Sequence, residues 1–132
     1  MIKSDAVTMN YLEEHDIYEF IFAQASRRAM DDYVKMLYEL YPTIKDQAVM
    51  GIIHDIHVSG AMSVNYTRPA TEKLFKDLQP FPTLYIAYLG EDNYVKSMVK
   101  TLDYTVTADV KRMYFPFDKR DKAIQWLVEK LS

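Results

Sequence analysis

Two near-continuous apolar runs constrain this chain most: Val49-Met50-Gly51-Ile52-Ile53 and Thr83-Leu84-Tyr85-Ile86-Ala87-Tyr88-Leu89. A strand with one wet face alternates apolar and polar residues. These two do not, so they suit strands buried on both faces. Short strands reach that state when helices cover a sheet. The neighbouring segments supply such helices, and strand-like and helix-like stretches alternate to the end of the chain.

Val7 to Leu12 alternates apolar and polar, as a half-buried strand does. Glu13-Glu14-His15-Asp16 breaks it, and Ile17 to Ala23 reads as a second strand, so the two predict a hairpin. Ser26 is placed to cap a helix. Met30, Tyr33, Val34, Leu37, Leu40 and Tyr41 give that helix an apolar stripe, and Pro42 is expected to stop it. Thr67, with Pro69 in the first turn, is expected to open a second helix with Ala70, Leu74, Phe75 and Leu78 inward; Pro80 and Pro82 end it. After Thr83–Leu89 and Gly90, the acceptors Glu91, Asp92 and Asn93 begin a third helix, with Val95, Met98, Val99 and Leu102 buried. Residues 103–111 carry no clear pattern. Arg112 to Phe117 reads as a last strand, with Pro116 marking a sheet edge or strand end. Asp118 is expected to cap a final helix that has Asp121 in its first turn and Ala123, Ile124, Leu127 and Leu131 inside. The order is β-β-α-β-α-β-α-β-α: one α/β domain over residues 1–132, with a small open, mostly parallel sheet, an opening antiparallel hairpin and right-handed crossovers.

Composition narrows the function classes. With 16 basic and 19 acidic residues the net charge is −3, and no basic stripe favours nucleic acid. No cysteine offers a disulfide, a thiol nucleophile or a thiolate ligand. Three glycines leave no glycine-rich phosphate loop, and no Gly-x-Ser-x-Gly elbow occurs. No window approaches the ~18 apolar residues of a membrane span. The chain turns charged at Lys3-Ser4-Asp5 before any apolar run, so no secretory segment is expected and the protein is expected to be cytoplasmic. Eleven tyrosines and eight methionines stand out. Tyr33, Tyr38, Tyr41, Tyr85 and Tyr88 with Met30, Met36 and Met98 suit either an adaptable apolar pocket or a core with hydroxyls at its edge.

The order of elements, the strand end Ile52-Ile53-His54-Asp55 and the close Phe117-Asp118-x-x-x-x-Ala123-x-x-Trp126-Leu127 together resemble the SpoIIAA-like (STAS-like) family, related in fold to the CRAL-TRIO lipid-carrier domains. The resemblance covers essentially the whole chain. It implies a non-catalytic regulatory module, a partner surface around the second helix, and a Trp126 helix packed over the sheet. Phosphorylated members carry an Asp-Ser-Ser-Gly-like segment there; this chain has His57-Val58-Ser59-Gly60, which leaves Ser59 as the nearest counterpart without the preceding acid.

His54-Asp55-x-His57 is the densest cluster of possible metal ligands. Alternation along a strand puts Asp55 and His57 on one face and His54 on the other. The competing reading is a polar strand end, with Asp55 accepting backbone N–H groups. Arg27 and Arg28 at the first helix, with Arg68 at the second, would recognise an acidic ligand or partner if they converge, and are otherwise a solvated surface. Three functions follow as expectations: a regulatory or binding module using Asp55, His57, Ser59, Arg27, Arg28 and Arg68; a carrier of a small apolar or amphipathic ligand; and a metal-assisted enzyme using His54, Asp55 and His57. No cofactor is expected. A protein partner or a second copy is, because an open sheet leaves two edges and homodimers are a common way to cover them.

Overall fold

The computed structural model describes residues 4–56, 64–91, 95–97, 99–100 and 109–132. Strands β1 (Val7–Leu12) and β2 (Ile17–Phe22) form the hairpin, and β3 (Val49–Ile56), β4 (Thr83–Gly90) and β5 (Val110–Pro116) follow. Their spatial order is their chain order, β1-β2-β3-β4-β5. The first pair is antiparallel and the remaining three are parallel. The expected α/β fold with a small mixed sheet is therefore present. At the hairpin turn Asp16 takes a left-handed φ of 56°, a conformation that Asp tolerates better than most residues, and its carboxylate accepts the Tyr11 hydroxyl at 2.7 Å.

Side-chain alternation sends the sheet's two faces to two separate cores. Tyr18, Phe20 and Phe22 of β2, Met50, Ile52 and Ile56 of β3, and Leu84, Ile86 and Tyr88 of β4 pack under helices α1 (Arg27–Ile44) and α2 (Val64–Asp77). Val95 and Val99, in residues that are also helical, join the same core. Ile17, Ile53, Ala87 and Leu89 point the other way, onto Ala123 and Leu127 of the C-terminal helix (Arg120–Leu131). Both β3 and β4 are buried on both faces, which is why their sequences run apolar without alternation. Trp126 is half-buried, with its ring centroid 6.1 Å from those of both Tyr85 and Phe115.

Four boundaries differ from expectation. Ser26 caps α1 as anticipated, accepting the Ala29 N–H at 3.1 Å, but Pro42 does not stop the helix. The chain stays helical to Ile44, because Pro42 forfeits one bond close to the terminus while fully buried Ile44 anchors the last turn. Helix α2 begins at Val64 rather than Thr67 and holds Pro69 inside it. The added turn is tied to α1: the Tyr66 hydroxyl donates to Asp31, and the Arg27 guanidinium lies 5.1 Å over the Tyr66 ring. Strand β5 starts two residues early, at Val110, and ends at Pro116 on the sheet edge. Asp118 does not cap the final helix. It lies in a 3₁₀ turn, Phe117–Lys119, that tightens the chain into Arg120, so the residue at the cap is Lys119. Asp121 does occupy the first turn. Asp92, Asn93, Met98, Leu102 and most of the 103–111 stretch lie outside the described residues.

Candidate functional site

Alternation along β3 splits the sequence's densest cluster. His54 projects under α1 and α2, while Asp55 projects toward the C-terminal helix. A single metal ion could not take both, and among the described residues no three His, Asp or Glu side chains come together. His57 and Ser59 lie outside the described residues.

On the helix-paired face, His54 is 7% exposed and ringed by aromatics. Its centroid lies 4.9 Å from Tyr33, 4.9 Å from Tyr88 and 5.4 Å from Phe22, each ring nearly perpendicular to the imidazole. Its Nε2 shares a hydrogen bond of 2.9 Å with the Tyr33 hydroxyl. Burial pushes the imidazole pKa down to about 3, and the nearby Arg112 guanidinium pushes the same way. Burial also raises the Tyr33 phenol well above its ordinary value, so both partners stay uncharged near neutrality.

This pair borders a cavity between α1, α2 and the sheet. Met30, Tyr33 and Leu37 of α1 form one side, and Thr67, Leu74 and Phe75 of α2 another. His54, Ile86, Tyr88 and Arg112 contribute from the sheet. The cavity volume is about 50 Å³. Most of the wall is apolar. Its polar groups are largely engaged: the Thr71 hydroxyl reaches the carbonyls of Thr67 and Arg68, and Arg112 Nε donates to the Tyr88 hydroxyl at 3.3 Å. Thr67 is the exception. It is 6% exposed, and its Oγ1 has no hydrogen-bond partner among the described residues.

Above the cavity, tyrosines join the two covering helices. Tyr38 donates to Asp77 at 2.8 Å, and that carboxylate also takes Lys73 at 2.7 Å. The Lys73 and Tyr38 bonds hold the Asp77 carboxyl below its usual range. With Tyr66 on Asp31, the seam is pinned near both ends of α2.

On the opposite face, Arg120 pairs with buried Glu19, and its guanidinium lies 4.0 Å from Asp55. Asn10 donates to Glu19 at 3.4 Å. Asp55 thus belongs to a buried charge cluster that ties the C-terminal helix to β2 and β3. The three arginines have neighbours of their own. Arg27 stacks on Tyr66, Arg28 lies 3.9 Å from Asp5 and 3.8 Å from Asp32, and Arg68 is exposed on α2. Of the tyrosines and methionines singled out in the sequence, Tyr33, Tyr88 and Met30 line the cavity. Sequence reasoning missed Thr67 and Arg112 as wall residues; no local pattern marks them, since they meet only through the strand order.

No family model, curated protein or solved structure matches this chain.

Proposed function

We propose that this chain is a small non-catalytic binding module of the SpoIIAA-like type, with the cavity between α1, α2 and the sheet as its working site. The observation that carries the reading is the wall itself: a mostly apolar concavity in which a few hydroxyls and one imidazole converge under two helices. Small-molecule sites are built in this way, with apolar area for affinity and a few polar groups for orientation. His54 and Tyr88 bring the wall close to the carboxyl ends of β3 and β4, the region where open parallel sheets take ligands. The chemistry of His54 supports recognition over proton transfer. A general base works best with a pKa near the operating pH, and an imidazole held down at about 3 is a feeble one. Helix α2 presents Thr67 and Leu74 to the cavity and Arg68 to solvent, so a partner protein reading its outer side would sense what its inner side holds.

Xenon tests the site directly, because dry apolar cavities bind it. Methyl-detected NMR under xenon pressure should shift Met30, Leu74 and Ile86 together and leave the methyls around Leu127 in place. Unmoved methyls at all three positions would overturn the cavity as the working site.

A further inference from the structure

The cavity's polar groups also specify what enters it. We infer that it accepts a small uncharged molecule, mostly apolar, whose single hydrogen-bonding group seats on the Thr67 hydroxyl. This rests on the cavity being the working site and adds the class of ligand.

The wall's hydroxyls separate by what they already hold. Tyr33 is engaged with His54, Thr71 with two backbone carbonyls, and Tyr88 with Arg112. Thr67 is more than nine-tenths buried, lines the same wall, and makes no hydrogen bond to a described residue. A buried hydroxyl without a partner is costly, so it marks a place where a ligand atom brings its own compensation. A hydroxyl both donates and accepts, so an alcohol, a phenol or a carbonyl compound satisfies it.

Charge is disfavoured for two reasons. Among the described residues no acidic side chain lines the wall, so a cation would enter beside the Arg112 guanidinium against like charge. An anion would have to draw Arg112 from the bond it makes to Tyr88 and give up its hydration in a mostly apolar wall. His54 does not help an anion, because the imidazole stays neutral in its aromatic ring of neighbours. The size of the void limits the ligand to a few heavy atoms or one ring, not a long acyl chain.

The experiment is an NMR titration of the whole chain with phenol, toluene and benzoate, and with isobutanol and isobutyrate as a smaller alcohol–acid pair. Phenol or isobutanol should bind at least tenfold more tightly than its apolar or charged counterpart, with the largest shifts around Thr67 and Tyr33. Thr67→Val should abolish that preference, and Thr67→Ser, which keeps the hydroxyl, should retain it. Equal binding across the series, tighter binding of the carboxylates, or a preference that survives in Thr67→Val would overturn the inference. Xenon shifts at Met30, Leu74 and Ile86 would leave the cavity itself standing in those cases. Silence from xenon and from every probe would overturn both.

Discussion

Replacing Thr67 by valine should stabilise the protein, which is unusual for a change at a buried position. The two side chains have nearly the same shape, so packing against Leu74 and the cavity wall is kept. Their helix propensities are close, so α2 pays little for the exchange. What changes is the hydroxyl, which is buried and lacks a partner among the described residues. Leaving such a group unsatisfied costs about 1–3 kcal/mol. Thr67 keeps 6% of its surface exposed, so the lower end, about 1 kcal/mol, is the expected gain. A chain of 132 residues unfolds with an entropy near 0.28 kcal/mol per kelvin at ~2.1 cal/mol/K per residue, so the melting temperature should rise by about 3–4 °C. Thr71 supplies the control. It stands one helical turn away on the same helix, and its hydroxyl reaches the carbonyls of Thr67 and Arg68 at 3.0 and 3.1 Å. Thr71→Val should therefore lower stability, by about 0.5–1 kcal/mol, the net worth of an ordinary hydrogen bond. Calorimetry and urea unfolding on the two variants give opposite signs if the hydroxyl accounting is right. A Thr67→Val protein less stable than wild type by more than about 0.5 kcal/mol would refute it.

Acidification should weaken the fold through His54. Its folded-state pKa is pushed down to about 3 while the unfolded chain keeps the ordinary value of about 6.5, so the unfolded state binds the proton first. The contribution is full above about pH 6.5 and is lost as the pH falls toward 3; between pH 7 and 5 it amounts to about 2 kcal/mol. Urea midpoints over that interval should fall more steeply for wild type than for His54→Gln, and parallel slopes would contradict the assignment. The two strand glycines should also part company. A Cβ on Gly90 would meet the stiff Val95 side chain, with Cβ to Cβ at 2.9 Å, whereas one on Gly51 would meet the movable end of Leu131 at 2.8 Å. Gly90→Ala should cost about 1–3 kcal/mol and Gly51→Ala less; the reverse order in denaturant unfolding would count against this packing.

The architecture was legible because its signals are local and periodic. Alternation in β1, unbroken apolar runs in β3 and β4, and the stripes of α1 and α2 each follow from how one element meets its neighbours. Boundaries were harder. Proline carries a local penalty that the sequence shows, but the burial of Ile44 and the Tyr66–Asp31 tie that override it at Pro42 and Pro69 are tertiary. The site was least legible. His54 and Asp55 are adjacent in sequence and opposed in space, because a strand turns successive side chains to opposite faces. His54 and Tyr33 are 21 residues apart, and their bond forms only when α1 folds back over β3. The excess of tyrosine and methionine suited either a pocket or a core, and Tyr33, Tyr88 and Met30 serve both, buried in the core and lining the cavity. Thr67 gave no signal, because an unpartnered hydroxyl is a property of its surroundings and not of its neighbours in the chain.

The unbroken strand order has a bearing on how the molecule is made. Each strand pairs with the one synthesised just before it, so the sheet can grow edge by edge, with no connection skipping a strand. The face carrying Ile17, Ile53, Ala87 and Leu89 is treated differently. Its cover among the described elements is the C-terminal helix, so that greasy surface is finished early and roofed last. A chain truncated before Arg120 would hold all five strands with one side of the sheet bare, the state in which chaperones have most to protect.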